Sequence, residues 1–303
     1  MKTLSKERHQ ELMDILERTS MRPKGAKPPE YPQEYKDYRT LCTEEVVKRT
    51  VDGYEYTSYI YRAKDRTANC PVHINIHGGG FVVPHMECDT LYSCYLASQL
   101  HGIVVDLDYT TSPVAPWPVA FDQCYDAAAD TFAHCSAWGG NERCVSIGGY
   151  SAGGVLAAGV ALKAGETGDF RFNAQVVGYA PLDNVIDPDY KKDSLIRVLP
   201  RERELAFSAL YFADDHEAMA GPYASPNYAP DELLAKLPRT LVITAGKCNF
   251  RFEDEEYAQR IAHVGVEVVV KRFPEMPHGF IPHLMGQWKE AADLIVRTVR
   301  VEA

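Results

Sequence analysis

The stretch Ile147-Gly148-Gly149-Tyr150-Ser151-Ala152-Gly153-Gly154 limits what this chain can fold into more than any other. An apolar run, Val145-Ser146-Ile147, leads into it, and a helix-like stretch, Val155 to Ala164, leads out. Within it stands Gly149-x-Ser151-x-Gly153. Strand, sharp turn and helix is the setting in which a serine backbone is strained and its hydroxyl is lifted to the top of a sheet. Side chains beside the serine would clash there, which is why glycines flank it. The Ala152 N–H then falls at a helix N-terminus, where it can donate to a developing oxyanion. Alone, a turn of this kind can be no more than a tight connection.

A second motif narrows the choice. Strand-like Val72-His73-Ile74-Asn75-Ile76 runs into His77-Gly78-Gly79-Gly80-Phe81. Three consecutive glycines leave backbone N–H groups unobstructed, as a loop must if it is to hold developing negative charge. A chain of 303 residues, 46% hydrophobic, can enclose one large core, or a core and a small cap. The net charge of −10 comes without a basic stripe, so no nucleic-acid partner is expected. No stretch approaches the roughly 20 apolar residues of a membrane span. The first residues, Met1-Lys2-Thr3-Leu4-Ser5-Lys6-Glu7-Arg8, lack a signal-peptide core, so a cytoplasmic protein is expected. The eight cysteines are scattered with no Cys-x-x-Cys pair, and read as reduced, mostly buried thiols rather than a disulfide or zinc framework.

Along the chain, residues 4 to 18 read as an amphipathic helix carrying Leu4, Leu12, Ile15 and Leu16. Residues 22 to 35 hold four prolines with Tyr31 and Tyr35, and read as an extended segment: a plain linker, or a strap lying on the protein over a pocket. Strands are expected near 45–50 and 54–61, joined at Asp52-Gly53, then at 72–76, 102–109, 144–148, 174–180, 240–245 and 266–273. Helices are expected over 89–100 with Asp89 as N-cap, over 121–137, 202–212 and 286–301. Apolar strands alternating with helices signal a parallel sheet covered on both faces. Residues 184 to 238 hold no clear strand and follow a strand end, so they read as a cap closed by the N-terminal segment. The expected division is residues 1–44 contributing to the cap, 45–183 and 239–303 as core, and 184–238 as the cap insertion.

Together, His77-Gly78-Gly79-Gly80, the Gly-Tyr-Ser-Ala-Gly-Gly turn, Asp108-Tyr109 with Pro113, Trp117-Pro118 and Asp122, and Pro277-His278-Gly279-Phe280 resemble the hormone-sensitive-lipase-like carboxylesterases of the α/β-hydrolase superfamily. The resemblance covers roughly residues 45 to 300. It implies an eight-stranded, mostly parallel sheet with helices on both faces, a helical cap, and hydrolysis of small-molecule carboxylic esters with short acyl chains. It implies no metal and no other cofactor. By position, Ser151 matches the nucleophile and His278 the general base, and the N–H groups of Gly79, Gly80 and Ala152 match the oxyanion hole. In this family an edge strand such as 266 to 273 could pair two subunits.

One position departs from the pattern. The family's third triad member is an aspartate after the seventh strand; here Thr244-Ala245-Gly246-Lys247-Cys248-Asn249 aligns without gaps and places Cys248 there. A neutral thiol is a poor acceptor and cannot stabilise imidazolium. Losing the carboxylate can cost about 10⁴ in rate. Three readings stay open. Another carboxylate serves, with Asp183 after Tyr179-Ala180-Pro181-Leu182 better placed than Glu253 or Asp254; Asp183 can equally be turn chemistry after Pro181. Or Ser151 and His278 work as a slow dyad. Or Cys248 was introduced by mutation, or the chain is a ligand-binding protein on a hydrolase scaffold. Milder departures are Tyr150 in the elbow and Thr110 and Val114 in the Tyr109 segment. Phe81, Trp117, Tyr211, Phe212, Tyr223 and Phe280 are candidates to line an apolar pocket.

Overall fold

Side-chain alternation along the strands sends apolar residues to both faces of one sheet, and both faces are covered. In the computed structural model, which describes residues 2–20, 29–192 and 199–300, the strands are β1 (Cys42–Val51), β2 (Tyr54–Ala63), β3 (Cys70–Ile76), β4 (Ile103–Asp108), β5 (Gly140–Tyr150), β6 (Ala174–Gly178), β7 (Arg239–Lys247) and β8 (Val268–Pro277). They form an eight-stranded sheet in the order β1-β2-β4-β3-β5-β6-β7-β8. β2 runs antiparallel to β1 and β4, and every other neighbouring pair is parallel. Asp52 and Gly53 join β1 to β2 with positive φ at both positions, as a two-residue hairpin turn of this hand requires.

The helices are α1 (Lys6–Arg18), α2 (Gln33–Lys36), α3 (Glu87–Leu100), α4 (Val119–His134), α5 (Ala152–Thr167), α6 (Arg201–Phe212), α7 (His216–Met219), α8 (Asp231–Leu234), α9 (Arg251–His263) and α10 (Trp288–Arg300). Ile103, Val105 and Leu107 of β4 face a core shared with α4, α5 and α9, while Val104 between them faces the opposite core beside α3 and α10. Val177 and Val242 join the first core, and Val176, Leu241 and Ile243 the second. This two-sided burial is why the strands read as continuous apolar runs. α10 buries Trp288, Ala291, Ala292, Ile295, Val296 and Val299, one stripe of an amphipathic helix.

A third, smaller core joins α1 to α6: Leu12 and Leu16 pack on Ala206, Ala209 and Leu210. α3 begins two residues before Asp89, so Asp89 is not its N-cap. Its carboxylate reaches back instead to the Met86 N–H at 2.8 Å. Of the proline-rich segment, residues 21–28 lie outside the described residues, and with them Pro23 and Pro28. Further on, Tyr35 packs edge-on against Trp288 at 5.7 Å, on the α10 side of the protein. All eight cysteines are buried free thiols. Among the described residues no helix is long and apolar enough to cross a membrane.

Candidate active site

β5 ends at Tyr150, α5 begins at Ala152, and Ser151 makes the whole turn between them with φ 55° and ψ −126°. A left-handed φ in a residue with a side chain is strained, and the surroundings must hold it. They do so by close backbone approach. A Cβ on Gly149 would lie 2.3 Å from the Gly153 carbonyl oxygen, and one on Gly153 would lie 2.1 Å from that of Ile76. The Ser151 N–H donates to Gly178 O at 2.9 Å, tying the turn to β6. Gly153→Ala therefore has no cheap solution: both atoms in collision belong to backbone. It is expected to destabilise the protein by about 3 kcal/mol or to prevent folding, read as the shift in thermal or urea unfolding midpoint against wild type.

His278 follows β8 directly. Its Nε2 lies 3.0 Å from Ser151 Oγ, although 127 residues separate them. Tyr179 and Phe250 hold the ring edge-on at 5.2 and 5.4 Å. On the other side, His278 Nδ1 faces Cys248 Sγ at 3.2 Å. Cys248 thus sits where the resemblance places an aspartate, and Phe250 N–H approaches the same sulfur at 3.5 Å. Burial pushes the Cys248 thiol well above its ordinary value, so sulfur stays protonated near neutral pH. Burial also lowers the His278 imidazole to about 4, and nearby His283 adds to the effect. A carboxylate behind Nδ1 would act in the opposite sense.

Asp183 is not brought to His278. Its Oδ1 accepts Val185 N–H at 2.8 Å and Ile186 N–H at 3.0 Å, which is the turn chemistry after Pro181. Glu253 forms an ion pair with Lys191 at 2.9 Å, and Asp254 accepts Ala180 N–H at 2.9 Å. Among the described residues no carboxylate bonds the imidazole. Each of the three acids is occupied by backbone or lysine donors that one cannot see from sequence spacing.

Gly78 lies against the elbow: a Cβ there would come within 3.3 Å of Ser151 Cβ. The glycine loop therefore runs beside the serine. Among the described residues no protein acceptor takes the N–H groups of Gly79, Gly80 or Ala152. Tyr150, the unusual elbow residue, is buried behind the site with its hydroxyl bonded to that of Tyr92.

Above Ser151 opens a cavity of about 570 Å³. Of the six aromatic residues named from sequence, Phe81 lines it. Trp117, Tyr211, Phe212, Tyr223 and Phe280 do not: Phe81 stacks on Tyr211 at 3.9 Å, Trp117 tilts against Phe212, Phe121 stacks on Tyr223, and Phe280 packs on Phe273. The apolar wall comes instead from Val83, Val185, Ile186, Phe207, Met219 and Phe250. Phe207 was silent in the sequence, one partly buried aromatic of α6. It is placed by Gly80, since a Cβ on Gly80 would fall 2.6 Å from the Phe207 ring.

The geometry agrees with the comparisons to known proteins. A family described as alpha/beta hydrolase fold matches residues 73–282, more than two thirds of the chain. An AB hydrolase superfamily protein of Schizosaccharomyces pombe is 24% identical over 213 residues, 69% of this chain and 62% of its own length. An arylesterase of Saccharolobus solfataricus is 27% identical over 240 residues, 78% of this chain and 76% of its own. The crystal structure of carboxyl esterase 2 from Tuber melanosporum superposes with TM-score 0.80 at 26% identity, covering 98% of this chain and 99% of that one. The chain belongs to the α/β-hydrolase family, among its hormone-sensitive-lipase-like carboxylesterases.

Proposed function

We propose that this chain is a serine hydrolase of small, short-acyl carboxylic esters, acting through an acyl-enzyme on Ser151 with His278 as base. The observation that carries it is the 3.0 Å contact of His278 Nε2 with Ser151 Oγ on a strained elbow, beside N–H groups that find no protein acceptor among the described residues. Ser151 Oγ attacks the ester carbonyl as its proton passes to Nε2. Gly79, Gly80 and Ala152 donate to the oxyanion, each worth about 3 kcal/mol. The C–O bond to the alcohol breaks as Nε2 returns the proton to the leaving oxygen. Water then gives its proton to Nε2 and attacks the acyl carbon; the acyl–Oγ bond breaks as Nε2 returns the proton to Ser151 Oγ, and the acid leaves. The described parts of the 184–238 insertion, residues 184–192 and 199–238, act with the N-terminal segment as the cap over this cavity. The outer edge of β8, with Val269 and Val270 exposed, supports pairing of two copies along it.

The Cys248 thiol is the weak member. For catalysis the imidazole proton must sit on Nδ1, leaving Nε2 free. A carboxylate can only accept and so enforces that tautomer, whereas S–H can donate to Nδ1 and favour the inactive one. This observation also supports a second reading, a protein that binds an apolar ligand and turns over slowly.

The chemistry can be tested through its pH dependence. His278 is active only when neutral, and its lowered value keeps it neutral down to acid pH. The acid limb of kcat/KM for p-nitrophenyl butyrate is expected near pH 4, below the roughly 6.5 of an unperturbed histidine. A limb near 6.5 would show that burial does not depress the imidazole, and one clearly above 6.5 would show that a negative group stands beside it.

A further inference from the structure

We propose that Arg203 binds an anionic group on the substrate, so that the preferred esters carry a carboxylate or similar anion on one arm; this rests on the ester-hydrolase reading of Ser151. Arg203 stands on α6 and lines the same cavity as Ser151 and His278. It is half-buried, and its Nη1 donates to Leu16 O at 2.7 Å. A guanidinium has five N–H donors, and among the described residues the others find no acceptor. Burial lowers its affinity for a proton, and among the described residues no acidic neighbour acts the other way.

Its isolation is specific to this position. Among the described residues the other lysine or arginine lining the cavity is Lys191, and it is held by Glu253 at 2.9 Å. The described carboxylates of the cavity are committed elsewhere. Asp183 serves its turn, Asp187 pairs with Arg201, Asp89 takes the Met86 N–H, and Glu204 takes Asn249 Nδ2 at 2.7 Å. Withdrawing a cation from water without a counter-ion is costly, and an anion arriving with the ligand offsets that cost. Guanidinium is also the side chain best shaped for carboxylate.

The position fits the reaction. The Arg203 guanidinium lies over the Phe207 ring, 4.8 Å from its centre, and that ring presses on Gly80 of the proposed oxyanion loop. Gly80, Phe207 and Arg203 thus form one continuous wall. An ester whose carbonyl sits at Gly80 and whose arm passes Phe207 ends at Arg203. Esters with a terminal carboxylate on the acyl or alcohol arm are the class that fits.

The test uses matched pairs on wild type, Arg203→Gln and Arg203→Lys. One pair puts the charge on the acyl arm: the mono-4-nitrophenyl ester of suberic acid against that of suberamic acid. The other puts it on the alcohol arm: 6-acetoxyhexanoate against 6-acetoxyhexanamide. In wild type the anion is expected to raise kcat/KM by about 10- to 100-fold on one arm, mainly through KM, the size of a charge-assisted hydrogen bond. Arg203→Gln erases that ratio and Arg203→Lys restores part of it. A role in merely tying α1 to α6 would lower both members of a pair alike and leave the ratio in place. A wild-type ratio near one in both pairs, or a ratio that survives Arg203→Gln, overturns the proposal. Calorimetry with suberamate and suberamide separates it from the chemistry. If no ester is hydrolysed, an Arg203-dependent preference for suberamate still supports the anion site, and equal affinities reject it.

Discussion

Cys248→Asp is expected to raise kcat/KM for p-nitrophenyl butyrate by about 10²- to 10⁴-fold, the range a triad carboxylate commands. The position is already aimed, with the sulfur 3.2 Å from His278 Nδ1 and 3.5 Å from Phe250 N–H. An aspartate there finds two N–H donors. It fixes the Nδ1–H tautomer, stabilises imidazolium in the transition state, and raises the His278 value, so the acid limb of the pH profile moves upward. The gain has a stability cost. Cys248 is fully buried, with Asp254, Glu253 and Glu204 near enough to disfavour further negative charge. A lower unfolding midpoint should therefore accompany the faster enzyme. Cys248→Ala separates the two roles of the residue, and little loss of rate is expected, because a neutral thiol contributes little. A fast wild type unmoved by Cys248→Asp would mean that some other group already orients His278.

Ser151→Ala should bring hydrolysis to background, and the size of the fall should depend on residue 248. In an intact triad, removing the serine costs about 10⁶ in kcat, and residues acting as a unit do not add. Here the acid's share is already missing, so Ser151→Ala in wild type is expected to cost only about 10². In the Cys248→Asp background the same change should cost about 10⁴ or more. The difference between the two falls is the coupling of the two positions, measured as a double-mutant cycle. Equal falls in both backgrounds would separate Cys248 from the catalytic unit.

Much of this was legible in the sequence because it was written in backbone demands. Gly149 and Gly153 are needed where a Cβ would fall 2.3 and 2.1 Å from a backbone carbonyl oxygen, and such demands leave glycines at fixed spacing. Strands buried on both faces show as apolar runs, so the strand near 103–108 was readable to within a residue or two. Cys248 was located because the segment from Thr244 aligns without gaps to the family's pattern, with Tyr257-Ala258 fixing the register. What stayed hidden depends on which side chain meets which donor. Asp183 follows a strand end like a catalytic acid, but the turn it begins presents two N–H groups to its own carboxylate. Trp117 and Tyr211 have the composition of a pocket wall, yet they stack on other aromatic rings. Phe207 and Arg203 lie on a helix whose orientation is set by α1, two hundred residues away in sequence.

The most direct measurement of the central assignment is stoichiometric labelling with a fluorophosphonate, followed by mass spectrometry of the peptide carrying Ser151. Phosphonylation requires a serine activated by His278 and an oxyanion site that receives the phosphoryl oxygen. One adduct per chain on Ser151, formed in step with the loss of p-nitrophenyl butyrate hydrolysis and faster in Cys248→Asp, is the predicted result. Ester hydrolysis that persists with Ser151 unlabelled, or an adduct on another residue, would contradict the account.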